Sequence, residues 1–239
     1  MPIRMRLGVV GALAAMLCAC ATQPEIPFDK TQASHLKTIG IVTPSMPDKP
    51  TVWLASDVGQ SFGLIGALVD AGIQAHRDAV LWNAIDGVRN PPRTAFVNAL
   101  EASLRRQGFD VKMIEASRPD GHYLKTYPRT HDPIDAYLDV TFIGGGYGYV
   151  AAAMGKATPY RPFVYLHCRL VRASDGATLM QDAVFDNAIG APKDTVTISA
   201  NPTYQFTDFA AMRSHPQDAR NGMDDAFRTT ANMIGTLIR

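Results

Sequence analysis

A serine between two glycines is the first feature that could carry chemistry. Gly59-Gln60-Ser61-Phe62-Gly63 fits G-x-S-x-G, in which a nucleophilic serine lies on a sharp turn between a strand and a helix. Asp208 and His215 follow in the chain order that such an enzyme needs. However, the folded chain before the motif is too short for the strands that normally come first in that fold. A serine hydrolase using Ser61 is therefore the alternative hypothesis.

A glycine-rich stretch could bind a dinucleotide. Gly146-x-Gly148-x-x-Ala151 follows an apolar strand pattern and looks like the start of a flavin or nicotinamide site. Such a site needs a helix after the glycines and an acidic residue about 20 positions further on. Pro159 and Pro162 leave little room for the helix, and no Asp or Glu occurs between Asp139 and Asp175. We interpret the glycines as a bend in a strand and expect no cofactor.

One loop contains side chains that bind metals in other proteins. Asp120, His122, His131, Asp132 and Asp135 are of the types that ligate zinc or another divalent ion. No histidine pair has the i, i+4 spacing that places two imidazoles on one helix face. We interpret these residues as solvated loop positions and expect no metal site.

The start of the chain has the pattern of a secretory signal. Arg4 and Arg6 precede an uncharged apolar run over 7–19, and the run ends at Leu17-Cys18-Ala19-Cys20. A positive segment, an apolar segment and a small residue at the cut are the three parts of a signal peptide. The run is shorter than the roughly 18 apolar residues that a membrane-spanning helix needs. We therefore expect this segment to be removed from the mature protein.

Leu-x-Ala-Cys resembles the lipobox of bacterial lipoproteins, in which the peptidase cuts before the cysteine and the thiol then carries diacylglycerol. The resemblance implies lipidation at Cys20. In the sorting pattern of that family, a residue other than Asp after the cysteine implies release to the outer membrane, and Ala21 stands there. The sequence thus predicts a signal peptide over 1–19, a lipidated cysteine and tether over 20–35, and one periplasmic domain over 36–239.

Composition narrows the classes of partner. Loss of Arg4 and Arg6 takes the formal charge of the 239-residue chain from +1 to −1, which gives no electrostatic reason to expect a nucleic-acid partner. Removal of Cys18 and acylation of Cys20 leave Cys168, so no internal disulfide can form. Because Cys168 alternates with Leu166 and Leu170, we expect it to be a buried strand residue.

Helical periodicity predicts four helices. A glycine-rich helix is expected over 57–69, an amphipathic helix from Gly72 to about Gly87, and a third helix from Asn90-Pro91 to Gly108. The fourth covers Met223–Leu237. In the third helix, Glu101 and Arg105 can pair one turn apart.

Alternating apolar residues predict the strands. We expect a first strand over 37–43 with 51–54 as its hairpin partner, and a third strand over 109–114. The run 135–143 should bury one face and expose Asp135, Tyr137, Asp139 and Thr141 on the other. We expect this strand to bend at the glycines and to resume over 147–153, and we expect 163–172 with 177–185 to form a hairpin. The fold class is α+β, a mixed or mainly antiparallel sheet with helices packed on one face.

Two regions stay open. The aromatic residues Tyr147, Tyr149, Tyr160, Phe163 and Tyr165 form either an exposed binding rim or part of the core. The segment 186–221 lacks periodicity, apart from a short extended piece near 202–206.

The lipobox, the strand Asp135-Ala136-Tyr137-Leu138-Asp139-Val140, the hairpin around Ser174-Asp175-Gly176 and the final helix together resemble the periplasmic α/β domain of small outer-membrane lipoproteins. Named relatives of this type are the N-terminal domain of TolB and the curli secretion lipoprotein CsgG. The resemblance implies a non-enzymatic protein that assembles or recognises envelope components. Outer-membrane lipid held through Cys20, and an envelope protein or a second copy of the chain, are the expected partners.

Overall fold

The computed structural model describes residues 24–55, 63–85, 91–118, 121–152, 158–193 and 195–239. Its strands are β1 (Thr38–Val42), β2 (Thr51–Ala55), β3 (Asp110–Ile114), β4 (Ala136–Ala152), β5 (Arg161–Arg172), β6 (Thr178–Asp186) and β7 (Val196–Ile198). Its helices are α1 (Lys30–Ala33), α2 (Gly63–Ile85), α3 (Pro92–Arg106), α4 (Phe209–Ser214) and α5 (Pro216–Leu237), with a 3₁₀ turn at Pro202–Tyr204.

The long strand β4 organises a mixed sheet. The order is β3-β1-β4-β5-β6-β7, and β2 pairs with the second half of β4 on the same side as β1. The pairs β1–β3, β1–β4, β2–β4 and β6–β7 are parallel, whereas β4–β5 and β5–β6 are antiparallel. The predicted α+β class and the hairpin between β5 and β6 are confirmed, and β4, β5 and β6 together form an antiparallel meander.

The main core lies between one face of the sheet and the long helices. Phe96 of α3 contacts Phe142 of β4 and Phe227 of α5, with ring centroids 5.0 Å and 5.9 Å apart in edge-to-face geometry. All three rings are buried. Such pairs add to the burial of apolar area, so this junction fixes two helices against the sheet. The Glu101–Arg105 pair predicted on α3 is present at 2.7 Å.

The opposite face of β4 is buried, which corrects the prediction of a wet face. Tyr137, Asp139 and Thr141 are 6%, 0% and 1% exposed. The segment between β3 and β4 covers them, and Leu124 of that segment packs in a small second core with Tyr137. The alternation places these residues on one face of β4, as predicted. Polar residues on one face of a strand do not indicate whether a loop covers that face.

Three further boundaries differ from the prediction. Strand β2 is not the hairpin partner of β1. The chain after β1 continues along β4, so β1 and β2 pair with different parts of the same strand, β4. The helix predicted after Gly72 and the last part of the glycine-rich helix before it form one helix, α2, since a single glycine weakens a helix without ending it. Helix α5 begins at Pro216, and the preceding segment contains β7, the 3₁₀ turn and α4.

Candidate functional site

Cys20, the predicted lipidation site, lies outside the described residues, but the chain that follows it docks on the sheet. The N–H of Ile26 donates to the carbonyl of Gln181 at 2.8 Å, and the N–H of Gln181 donates back at 2.9 Å. The Gln181 side-chain amide also donates to the carbonyl of Pro24 at 2.8 Å. These bonds add a short antiparallel contact to the outer edge of β6, in the part of the strand that β7 does not cover.

The remaining residues of the hydrolase hypothesis serve local structure. Ser61 lies outside the described residues. Asp208 caps α4 by accepting the N–H of Ala211 at 2.8 Å, and His215 Nδ1 lies 2.8 Å from the carbonyl of Ala211. Asp208 and His215 therefore flank the same short helix, and each uses its polar atoms within that helix.

The glycines that resemble a dinucleotide motif bend a strand, as expected. Residues 144–146 and Gly148 have positive φ, and the β4–β5 register shifts between Phe142 and Tyr147. At Gly148 a Cβ atom would lie 2.0 Å from the carbonyl oxygen of Thr51. The glycine thus lets β2 approach β4, and the chain continues as strand to Ala152 where a nucleotide site would need a helix.

The described members of the proposed metal loop do not converge. His122 and His131 are exposed, and Asp132 pairs with Lys112 at 2.6 Å. Asp135 accepts the N–H groups of Lys37 and Thr38 at 2.8 Å each, which ties the start of β1 to β4. Within the described residues, no group of three or more His, Cys, Asp or Glu side chains is placed to hold a metal. Asp120 lies outside those residues.

The aromatic residues near the glycines belong to the core. Tyr147, Tyr149, Tyr160, Phe163 and Tyr165 are each at most 6% exposed, so they offer no binding rim. The prediction for Cys168 is confirmed, since it is fully buried and burial strongly raises the pKa of its thiol. A thiol with a raised pKa is a weak nucleophile.

A buried carboxylate with complete partners lies under the β3–β4 segment. One oxygen of Asp139 forms an ion pair with the Arg118 guanidinium. Its other oxygen accepts the N–H of Leu124 and the hydroxyl of Tyr127, each at 2.9 Å. The guanidinium of Arg169 lies 3.9 Å away and donates to the Tyr127 hydroxyl at 2.9 Å. This network fastens the segment to the sheet.

A basic cavity of about 330 Å³ opens beside this network. Its wall includes Arg169, Arg172 and the exposed Lys125 and Arg129. Arg172 pairs with Asp175 at 2.8 Å, at the tip of the β5–β6 hairpin. Four basic side chains around one cavity favour an anionic ligand or surface.

An acidic cavity of about 340 Å³ lies at the other end of β6. Asp186 is the last residue of β6 and is 2% exposed, and its Oδ1 has no hydrogen-bond partner among the described residues. Burial, and then the nearby charge of Asp225, raise the pKa of Asp186 to about 8. Asp225 accepts the Asn201 amide at 2.9 Å and pairs with Arg228. The cavity therefore contains one carboxylate that is compensated and one that is not.

No protein-family model matches the chain, and no curated protein matches it. Solved structures do. A DUF330-family protein of Xanthomonas campestris is 11% identical, with 84% of each chain covered and a TM-score of 0.39. A candidate lipoprotein of Caulobacter crescentus is 12% identical over 67% of this chain and 92% of its own, with a TM-score of 0.30. A candidate homologue of the neuraminyllactose-binding haemagglutinin from Helicobacter pylori is 11% identical over 86% and 87%, with a TM-score of 0.29.

TM-scores below 0.5 do not assign this chain a function, and the resemblance to TolB and CsgG stays a prediction. Among the described helices, none is both long and apolar enough to cross a bilayer.

Sequence reasoning missed both cavities. Asp186 was the first residue of a segment without periodicity, and Asn201 and Asp225 lie far from it in the chain. The one available signal was an acidic residue directly after the apolar pair Val184-Phe185, where a buried strand would continue. The basic residues of the other cavity come from a loop and a strand, so their charges do not cluster in the sequence.

Proposed function

We propose that the chain is a lipid-anchored, non-enzymatic protein of the bacterial envelope that holds a protein partner at the periplasmic face of the outer membrane. The observation that carries this proposal is the lipobox ending at Cys20, which is followed within six residues by the docked Ile26. A cleaved, acylated cysteine so close to the fold would tether the domain directly to the bilayer.

The docking of Ile26 sets a limit on the reach of such an anchor. Six residues span about 20 Å at most, even when they are fully extended. The edge of β6 around Gln181 would therefore stay within that distance of the lipid headgroups. The proposal thus includes an orientation, with this edge of the sheet towards the membrane.

The anchor can be tested with the two neighbouring cysteines. Cells expressing the chain are grown with an alkyne-labelled palmitate. Their membranes are then separated from the soluble fraction, and the protein is isolated from each fraction. Cys20→Ser should abolish labelling and release the chain from membranes, whereas Cys18→Ser should remain labelled, because Cys18 leaves with the signal peptide. Labelling that persists in Cys20→Ser contradicts the assignment.

The outer-membrane destination follows from the residue after the cysteine. Ala21→Asp should move the labelled protein from the outer-membrane to the inner-membrane fraction on a density gradient. The same distribution for both forms, or inner-membrane residence of the native chain, contradicts the outer-membrane location.

The basic cavity supports an acidic segment as the chemistry of the partner. Its exposed members Lys125 and Arg129 line the cavity together with Arg169, whose guanidinium donates to the Tyr127 hydroxyl at 2.9 Å. Crosslinking in intact cells, followed by isolation of the anchored protein, should capture a partner that is lost in Lys125→Glu/Arg129→Glu. Lys30→Glu/Lys49→Glu, at exposed positions outside the cavity, is the matched control. If the cavity variant still captures the same partner, this site is wrong. It is also wrong if the cavity variant loses binding to anionic lipid vesicles but still captures every protein that the native chain captures.

The serine hydrolase alternative has its own test. A serine-reactive fluorophosphonate is compared between the native chain and Ser61→Ala. Specific labelling that disappears in Ser61→Ala contradicts the non-enzymatic function, and equal labelling of both forms supports it.

A further inference from the structure

The acidic cavity at the end of β6 has the chemistry of a cation site. Its polar side chains are Asp186, Asp225, Asn201, Ser199 and Thr229, completed by Pro162 and Ala226. Each of the polar side chains carries an oxygen, and none of the described residues that line the cavity is a histidine or a cysteine. Carboxylate, amide and hydroxyl oxygens are the donors that hard divalent cations take in proteins.

The Asp186 carboxylate supplies an observation independent of the lining. It is 98% buried, and its Oδ1 makes no hydrogen bond to any part of the chain that the structure describes. A buried carboxylate without a partner is costly whether it is charged or protonated. A group of this kind calls for an explanation, and an ion that the side chain binds is one of the recognised explanations.

The neighbouring charges leave the Asp186 carboxylate uncompensated. Asp225 already has two partners, the Arg228 guanidinium and the Asn201 amide. Asp186 and Asp225 are the titratable residues of the lining, and among the described residues no Lys or Arg contributes to that wall. A cation entering the cavity would meet two carboxylates, of which Asp225 is paired with Arg228, a residue outside the described lining.

We propose that this cavity binds a divalent cation, Ca²⁺ or Mg²⁺, with Asp186 as a direct ligand and Asp225 as the second carboxylate. The volume of about 340 Å³ leaves room for the ion to keep several water molecules, as Mg²⁺ does in most sites. Ser199 and Thr229 then supply hydroxyl oxygen atoms to the ion or to its water shell. The Asn201 Oδ1 already accepts the Thr203 N–H at 3.0 Å, and the Asn201 amide positions Asp225. This site is independent of the lipid anchor and of the basic cavity.

Binding would join three elements that are distant in the sequence. Asp186 ends β6, Asn201 precedes the 3₁₀ turn, and Asp225 and Thr229 lie one turn apart on α5. Thr229 already donates to the backbone carbonyl of Asp225 at 2.9 Å. An ion held by the native arrangement and not by the unfolded chain raises the unfolding temperature by linkage.

The test uses the full chain purified in detergent and stripped with a chelator. CaCl₂ and MgCl₂ are titrated by calorimetry, and thermal unfolding is followed at each concentration. We expect saturable binding of at least one ion and a rise in unfolding temperature that follows the ion concentration.

Variants separate ligation from general charge. Asp186→Asn and Asp225→Asn should each weaken the affinity roughly tenfold or more. Asp218→Asn removes the same charge from an exposed position on the same helix and should bind like the native chain. Circular dichroism establishes whether each variant is folded. If Asp186→Asn does not fold, Asp225→Asn alone provides the test of ligation.

Several results would overturn the proposal. The first is the absence of binding at millimolar Ca²⁺ and Mg²⁺, and the second is an unchanged affinity in both carboxylate variants. The third is a chain that binds spermidine but neither metal, because the ligand would then be an organic ammonium.

Discussion

Two aspartates are buried in the same sheet, and their surroundings differ. Asp139, in the middle of β4, is fully buried, and both of its oxygens have partners, among them the Arg118 guanidinium. Asp186, at the end of β6, is equally shielded from water but has an oxygen without a partner. The nearby charge that acts on it is that of Asp225, which has the same sign.

The difference distinguishes a structural carboxylate from one that needs a ligand. A buried ion pair with complete hydrogen bonds contributes little net stability, but removal of one member is costly because the other is left uncompensated. An uncompensated buried carboxylate behaves in the opposite way, since its neutralisation removes a penalty. The same Asp→Asn substitution should therefore change stability in opposite directions at the two sites.

The largest effect is expected at Asp139. Asp139→Asn leaves the Arg118 guanidinium, only 4% exposed, without its counter-ion and should lower the free energy of unfolding by about 3–5 kcal/mol. The measurement is urea unfolding at pH 7 with chelator present. The matched control is Asp132→Asn, which breaks the exposed pair with Lys112 and should lower the free energy of unfolding far less, because solvent screens that pair. If both variants lose the same free energy of unfolding, burial of the ion pair does not determine how much its loss destabilises the protein.

The second effect, of opposite sign, is expected at Asp186. Its pKa is raised from 3.8 to about 8, so between these values the folded chain holds a proton that the unfolded chain has lost. Native stability therefore falls as pH rises through this window, by up to about 1.4 kcal/mol per pH unit. Without metal, Asp186→Asn should lack this slope, so between pH 5 and pH 8 the native chain should lose up to about 4 kcal/mol of unfolding free energy relative to the variant.

The pH series needs only urea melts of the two proteins at pH 5 to 8. Taking the difference between them cancels the contributions of Asp78 and Asp182, whose pKa values burial also raises. Parallel curves for the two proteins would mean that Asp186 is compensated in the folded chain.

The sequence predicted those parts of the fold that depend on local pattern. Alternation located β4, β5 and β6, and helical spacing together with Gly108 located α3. Pairing of β2 depends on a contact between residues 51–55 and 148–152, which no local pattern encodes. Adjacency favoured a hairpin with β1, but Gly148 lets β2 approach β4 instead.

The two aspartates were not distinguishable from sequence for the same reason. Asp139 lies in an alternating strand and was assigned to a wet face, although Arg118 and Tyr127 come from the loop that buries it. Asp186 ends a strand, and Asn201 and Asp225 reach its cavity from two other elements. A carboxylate's role is set by what the fold places beside it, so its position in a pattern predicts its direction but not its partners.

The smallest of these effects concerns one hydroxyl in the Asp139 network. Tyr127→Phe removes the group that donates to Asp139 and accepts from Arg169, while its ring can still stack on Tyr137 at 4.9 Å. Because Asp139 keeps Arg118 and the Leu124 N–H, the loss should be about 1.5 kcal/mol, typical of a hydrogen bond to a charged group. Urea unfolding measures it, and in an Asp139→Asn background the same change should cost less, since the acceptor is then neutral. A loss as large as that of Asp139→Asn itself would mean that the hydroxyl, and not the Arg118 ion pair, compensates the buried charge.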